Sequence, residues 1–480
     1  MSKKTRQTVT MIVLCILLIG LGVGYYGLIR YQASQQKKEN EAEESEGIEV
    51  YALDENSIRK IHFKSEKTNM TVVKTKNTWQ KQGEKNFPLN QEKVTSMLDE
   101  VSAVTADRLV AENSEDLAQY QLEKPVLTIE IEDTKGNQKT LAIGEESVSG
   151  GGRYAYCDDS SKIYILPTTI FSSFDYTESQ MMEIAELPEI TPDYVTHLEI
   201  ASQTGKDFEV TYDKKNSPFK DIYSWAISKP YSQQVAGDVD QLQTLFESYS
   251  SLSFTECVSY RGSSSELKKY GLDQPKYEVA VDYYKLKKKK KTKKTLCLLI
   301  GKQNNDKTAF YVQRRGHKGV YLMEKSAVEA MVKITPLDYV YQKFYVGNEE
   351  TLQSIDMEYQ GKTYHMTLDR EKSEKKDEET EYTYTAKMNG KKVDDQKFRK
   401  AYAAFSELII NGEIDSKVKP MGQKAVAIIT FHEKKKDVRM SFYPYDGNNF
   451  YRVEVNGSMQ FVTEIRNADN AFKGITELAD

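Results

Sequence analysis

The sequence predicts an α+β protein, an N-terminal transmembrane helix followed by three tandem repeats, each a small antiparallel sheet with one main amphipathic helix. Three observations lead to that class. An uncharged apolar run covers Val9 to Ile29. Downstream, one order of residues recurs at an offset of 150 to 157 positions. Within each recurrence, alternating apolar positions come first and a single helical pattern follows.

The first element is the anchor. At about 1.5 Å per residue, 9–29 is long enough to cross a hydrocarbon core of roughly 30 Å. Lys3, Lys4 and Arg6 precede it, and Glu39, Glu41, Glu43, Glu44 and Glu46 follow. The positive-inside rule then puts 1–8 in the cytoplasm and the bulk of the chain outside, as a single-pass protein of the cell membrane. The rival is a cleaved signal peptide, but the run is longer than an ordinary leader core and no A-x-A-like site follows. Residues 30–48 are polar and read as a solvated stalk.

The repeats are placed at 49–190, 191–347 and a degenerate 348–480. Tyr120 and Pro125 match Tyr270 and Pro275 at an offset of 150, and Gly144, Tyr154 and Tyr164 match Gly301, Tyr311 and Tyr321 at 157. Trp79 and Trp225, the two tryptophans, stand at comparable places upstream. Strand patterns open each copy: SIRKIHFKS, MTVVKT and TWQKQ; VTHLEIAS, FEVTYDK and YSWAIS; LQSIDMEYQ, TYHMTLDR and YTYTAKM. Helical spacing follows at Val94, Met97, Leu98 and Val101, at Leu242, Leu245, Phe246 and Tyr249, and at Phe398, Ala401, Tyr402 and Phe405. Asp238 and Asp394 or Asp395 are suited to cap the later two helices. A Tyr-x-Leu-x-x-Pro cassette then leads into a hairpin and two further short strands. The third copy lacks the cassette, the tryptophan and the glycine after the hairpin.

Composition limits the functions available. A net charge of −5 over 480 residues gives no argument for nucleic-acid binding. Cys157, Cys257 and Cys297 contain no C-x-x-C, so a zinc site or disulfide framework is not expected. They read as small buried hydrophobes, with one Cys257–Cys297 bridge as the alternative in an oxidising compartment. The five histidines are scattered. His62, His197 and His365 fall within expected strands, at similar points of the three copies, which favours packing over metal ligation. No H-E-x-x-H, G-x-S-x-G or phosphate-loop pattern occurs, so no catalytic residue, metal site or cofactor is expected.

The cassette itself reads as structural: Gly271 supplies a positive φ after a short helix, Leu272 fills the core and Pro275 starts a strand. Gln121 at the matching place in the first copy weakens the need for that φ. The order Trp225, amphipathic helix, Tyr270-Gly271-Leu272-x-x-Pro275, strand, hairpin, Ile300-Gly301, Tyr311 and Val320-Tyr321 resembles the family catalogued as domain of unknown function 4340, over roughly residues 55–345. The resemblance implies a membrane-anchored extracytoplasmic protein, an accessory to ABC permease and ATPase components similar to those of gliding-type systems. It implies no catalytic residue.

The expected function is therefore that of a non-catalytic extracytoplasmic accessory or scaffold protein of an ABC-type transport or surface-assembly system. The alternative rests on residues 285–294, which hold eight lysines in ten positions, Lys287, Lys288, Lys289, Lys290 and Lys291 at their centre. Their bland reading is a solvated hairpin tip, and their sharper one is contact with an anionic envelope polymer or lipid. The mixed-charge stretch 371–381 reads as another exposed tip. An envelope enzyme ranks last.

Overall fold

A computed structural model describes residues 47–479 apart from 149, 220–222, 289, 348, 373–381, 420 and 448. The strands are β1 (Ile48–Ala52), β2 (Ile58–Ser65), β3 (Asn69–Thr75), β4 (Thr78–Lys81), β5 (Ala103–Ala106), β6 (Arg108–Ala111), β7 (Leu127–Asp133), β8 (Gln138–Glu146), β9 (Arg153–Cys157) and β10 (Ile163–Leu166) in the first copy. The second has β11 (Val195–Ser202), β12 (Phe208–Tyr212), β13 (Trp225–Lys229), β14 (Val235–Ala236), β15 (Glu256–Ser259), β16 (Tyr277–Lys287), β17 (Lys290–Gln303), β18 (Ala309–Arg314) and β19 (Val320–Glu324). The third has β20 (Leu352–Tyr359), β21 (Lys362–Lys372), β22 (Tyr382–Met388), β23 (Lys391–Lys392), β24 (Gly412–Glu413), β25 (Ala427–Glu433), β26 (Asp437–Pro444), β27 (Phe450–Val455) and β28 (Ser458–Glu464).

These strands overturn the expected α+β class. Strands account for 43% and helices for 19%, arranged in four antiparallel sheets, so the chain is predominantly β. Nor are the sheets small: one has eight strands and two have nine, beside the two-stranded β1–β5. The physical reason lies in lengths. Apolar spacing of helical period persists for only 9 to 12 residues at the main helix of each copy, whereas the alternating pattern runs through two successive meanders. Among the described residues no helix is long and apolar enough to cross a membrane. The run 9–29, to which the expected span was assigned, lies outside the described residues, as do 1–8 and most of the stalk.

One topology repeats three times. The orders are β4-β3-β2-β7-β8-β9-β10-β6, β14-β13-β12-β11-β16-β17-β18-β19-β15 and β23-β22-β21-β20-β25-β26-β27-β28-β24. In each, the first strand of an opening meander pairs centrally with the first strand of a second meander, and a short earlier strand closes the far edge. Two compact units result, one ending at Ile184 and one running from Ala185 through both later copies. In the second unit the buried side chains of both copies form one continuous apolar cluster.

The main helices bury the faces their spacing indicates. Val94, Met97, Leu98 and Val101 are buried on Gln91–Ser102, and Phe398, Ala401, Tyr402 and Phe405 on Asp395–Ser406. Asp238 and Asp394, rather than Asp395, cap the later two helices through backbone N–H groups. The tryptophans join the opening meander to these helices. The Trp79 N–H donates to Gln91 Oε1 at 2.9 Å, and the Trp225 ring packs 4.9 Å from that of Phe246. A second helix, absent from the expected plan, ends each copy: Thr168–Ser172, Lys325–Val332 and Ile465–Thr476.

The cassette is a brace between edge and sheet. Gly271 has φ +70°, and Gln121 adopts φ +57° at the same place, so the left-handed turn is required in both copies. It lets the N–H of Leu272 donate to Leu267 O at 2.8 Å and that of Leu122 to Leu117 O at 3.0 Å, closing a helix-end motif over two buried leucines. Pro125 and Pro275 each stand two residues before a central strand. The cassette tyrosines meet the tyrosines of the later meander, Tyr120 with Tyr154 (ring centroids 5.4 Å apart) and Tyr270 with Tyr311 (4.3 Å). The recurrence of the glycine has a steric cause. A Cβ on Gly144 would sit 3.0 Å from Gln121 O and 3.1 Å from Tyr120 O, and one on Gly301 would overlap the carbonyl oxygen of Tyr270. In the third copy Tyr443 takes that place in the register, and the cassette is gone with the glycine.

Gly301→Ala is therefore expected to destabilise the fold by about 1–3 kcal/mol, the usual range for forced overpacking, and Gly144→Ala by less. Chemical denaturation of the two variants measures this, and equal stabilities would remove the brace.

Candidate anionic-surface site

The lysine run is not an irregular tip. The growth of the repeat offset is taken up by a longer hairpin, β16 and β17 having 11 and 14 residues where β7 and β8 have 7 and 9. Pairing continues from Tyr277↔Ile300 out to Lys287↔Lys290, with Lys288 at φ +47° in the turn. Lys289 lies outside the described residues. Lys285, Lys287, Lys288, Lys290 and Lys291 are exposed.

Side chains alternate along this arm. One face carries the opposed pairs Asp282–Thr295, Tyr284–Lys293 and Leu286–Lys291, and the other Tyr283–Lys294, Lys285–Thr292 and Lys287–Lys290. On the first face the ammonium groups have internal partners. Lys293 Nζ is 2.8 Å from Asp282 Oδ2, and Lys291 Nζ lies 5.5 Å from the Tyr194 ring and 5.9 Å from the Tyr284 ring. Burial works to raise the Asp282 carboxyl, but hydrogen bonds from Lys293 and Thr295 outweigh it and hold the group below the ordinary aspartate range. Lys287, Lys288 and Lys290 have no ion pair among the described residues. Two like charges facing each other at the Lys287–Lys290 rung cost stability, which makes the outer rungs a charged surface held against local preference.

At the base of the arm lies an open groove of about 850 Å³, between Tyr284, Lys291 and Lys293 on one side and Tyr212, Trp225 and Lys214 on the other. Tyr212 and Trp225 meet edge to face at 5.3 Å, and Lys214 Nζ is 5.7 Å from the Tyr212 ring. Trp225, read from sequence as structural, also lines this groove. Trp79 stays between its opening meander and helix, and the other motif residues stay with the brace: Tyr120, Pro125 and Gly144 in the first unit, and Tyr270, Gly271, Leu272, Pro275 and Gly301 in the second copy. The groove residues Tyr194, Tyr212, Lys214 and Tyr284 were not singled out. Their signal was the strand alternation, which sets Tyr284 on the face of Asp282. The second expected charged tip falls mainly on 373–381, outside the described residues.

Cys157, Cys257 and Cys297 are free thiols, so the Cys257–Cys297 bridge does not form. Burial, the main cause in each, pushes all three up to about 11 and leaves them protonated at neutral pH. Among the described residues no group of three His, Cys, Asp or Glu side chains is set to hold a metal ion. The histidines do not occupy equivalent points. His62 follows Ile61 on β2 and His197 precedes Leu198 on β11, two core residues at matching registers, whereas His365 sits on β21. His365 Nδ1 pairs with Asp356 at 2.5 Å, and His432 Nε2 reaches the other oxygen of that carboxylate at 2.9 Å.

Burial would raise the Asp356 carboxyl, yet these two imidazole hydrogen bonds hold it below its ordinary value. A carboxylate so lowered stabilises the fold above its unfolded value and loses that contribution as pH falls through its folded one. Below the ordinary aspartate value of 3.8, the melting temperature is expected to drop more steeply in the parent than in Asp356→Asn. Parallel curves would show that the pair of imidazoles does not couple to folding.

No curated protein and no solved structure matches the chain. The family described as Domain of unknown function (DUF4340) matches residues 79–221 and 225–425, which spans the brace in both copies that carry it, Trp225, the lysine hairpin and much of the third sheet. The chain belongs to the DUF4340 family.

Proposed function

We propose that this protein is a non-catalytic extracytoplasmic binding and scaffold module, held at the cell membrane by the uncharged segment 9–29, that engages an anionic envelope surface through its second copy. The observation that carries this reading is the lysine hairpin, an arm whose outer rungs place Lys287, Lys288 and Lys290 in solvent without ion pairs among the described residues. Each lysine near an anionic surface contributes about 1 kcal/mol, so the arm suffices for reversible, salt-sensitive attachment. The groove at its base adds flat aromatic faces between ammonium groups, which suits a polymer of sugar rings bearing phosphate or carboxylate better than a bare lipid headgroup.

A second reading makes the protein an accessory of an ABC-type permease and ATPase resembling gliding-type systems. It is favoured by the fused second and third copies, which present two nine-stranded sheets from one unit and so offer a partner a wide surface. The two readings are compatible, because the hairpin and the remaining sheet surfaces are separate.

Replacing Lys287, Lys288, Lys290 and Lys291 together with serine is expected to reduce adsorption to isolated anionic wall polymer at least tenfold at physiological salt, and vesicles of anionic lipid test the lipid arm in parallel. Retention of full adsorption would exclude the hairpin. Co-purification of a permease and ATPase from mild detergent, unaffected by the same substitutions, would support the second reading on its own terms.

A further inference from the structure

We infer that the cleft between the second and third copies is a binding site for the apolar chain of an anionic amphiphile. The cleft has a volume of about 500 Å³ within one compact unit. It falls within the roughly 300–1,000 Å³ of small-ligand sites.

Its walls are fixed by bonds between the copies. The Ser232 N–H donates to Gln460 Oε1 at 2.7 Å, and Gln460 Nε2 donates back to Gln233 O at 3.3 Å. The Tyr231 ring packs 5.2 Å from that of Phe461, and its hydroxyl donates to Glu413 Oε1 at 3.0 Å. The Ile410 N–H donates to Gln342 O at 3.3 Å. The cleft thus stays open although its lining is apolar, because the strands on either side are already held.

The chemistry of the lining selects the ligand. Val235, Val340, Phe344, Ile410, Val438 and Phe461 give aliphatic and aromatic walls that recognise methylene groups by area alone. Exposed Lys436 and half-buried Lys343 belong to the same lining, and neither has an ion pair among the described residues. Ser458 also lines the cleft, and its hydroxyl is buried without a hydrogen-bond partner, so turning it toward a ligand oxygen breaks no existing bond. Apolar walls call for a hydrocarbon chain, and two unpaired ammonium groups with a spare hydroxyl call for an anionic head. The site is separate from the lysine hairpin and does not depend on it.

The test uses membranes carrying the full chain and a palmitate probe with a photoactivatable diazirine. Saturable labelling is expected on peptides containing Val235, Val340 or 453–461, with unlabelled palmitate competing and hexadecanol competing at least tenfold less well. Lys343→Gln with Lys436→Gln is expected to raise the half-saturating concentration at least tenfold. Ile410→Trp, or Val455→Trp should the first alter the melting transition, is expected to abolish labelling by filling the cleft. The hairpin serine variant keeps its labelling, which separates this inference from the polymer reading. Labelling that is unsaturable, spread over other peptides, equally competed by hexadecanol, or unchanged in a folded tryptophan variant would overturn it.

Discussion

The close approach of a cassette carbonyl to a glycine on the second meander sets the form of the first two copies. The cassette connects the short edge strand on one side of the sheet to the central strand of the second meander, so it must cross the sheet's end at a fixed height. The left-handed turn at Gln121 or Gly271 gives it that height, and the absence of a Cβ at Gly144 or Gly301 lets it settle there. Two tyrosines then meet across the contact, Tyr120 edge-on to Tyr154 and Tyr270 tilted over Tyr311. Neither half of this arrangement is useful without the other. That is why the third copy lost both and is held differently, by Tyr345 stacked on Phe431 at 4.0 Å and Phe442 set edge-on to Phe472 at 4.9 Å. Aromatic packing of the connecting segment and of the closing helix on the sheet there replaces a brace made of backbone.

Much of this was legible in the amino-acid order. All nine opening strands were marked by alternation, and the helix faces by three- and four-residue spacing, because both periods follow from backbone geometry and not from tertiary context. The recurrence of Tyr120 and Gly144 as Tyr270 and Gly301 was visible in sequence at offsets of 150 and 157, though the reason for the glycine needed the third dimension. The fold class was misjudged because a 12-residue helix is conspicuous in sequence while short edge strands such as β14, β23 and β24 are not. The closing helices were missed for a related reason. Ala468, Ala471, Phe472 and Ile475 do form a helical stripe, but it starts directly from β28 without a side-chain cap to announce it. The contact of Asp356 with His365 and His432 joins three strands and leaves no local signature at all.

The candidate sites lie where topology leaves freedom. An antiparallel hairpin keeps its inner register when rungs are added beyond it, since every existing pair still faces its partner. Leu127 faces Ile143 in the first copy and Tyr277 faces Ile300 in the second, with the glycine next in line in both, although the second hairpin is far longer. The core therefore does not register the insertion. Like-charged lysines that would be intolerable beside a core rung are tolerated at the outer end, where water screens them and where Asp282 and two tyrosines steady the inner pair.

The cleft arises from the opposite circumstance, a junction between two sheets whose buried side chains join in one apolar cluster. Strand residues and connecting segments of both copies line it. Gln460, Tyr231 and Ile410 join the copies by hydrogen bonds beside the cleft, and the Tyr231 ring packs on that of Phe461. A tandem repeat that fuses two copies into one unit thus creates, between two well-packed sheets, an apolar space that neither copy has alone. Its walls owe their rigidity to the sheets and their emptiness to the duplication, which is the combination a preformed ligand site requires.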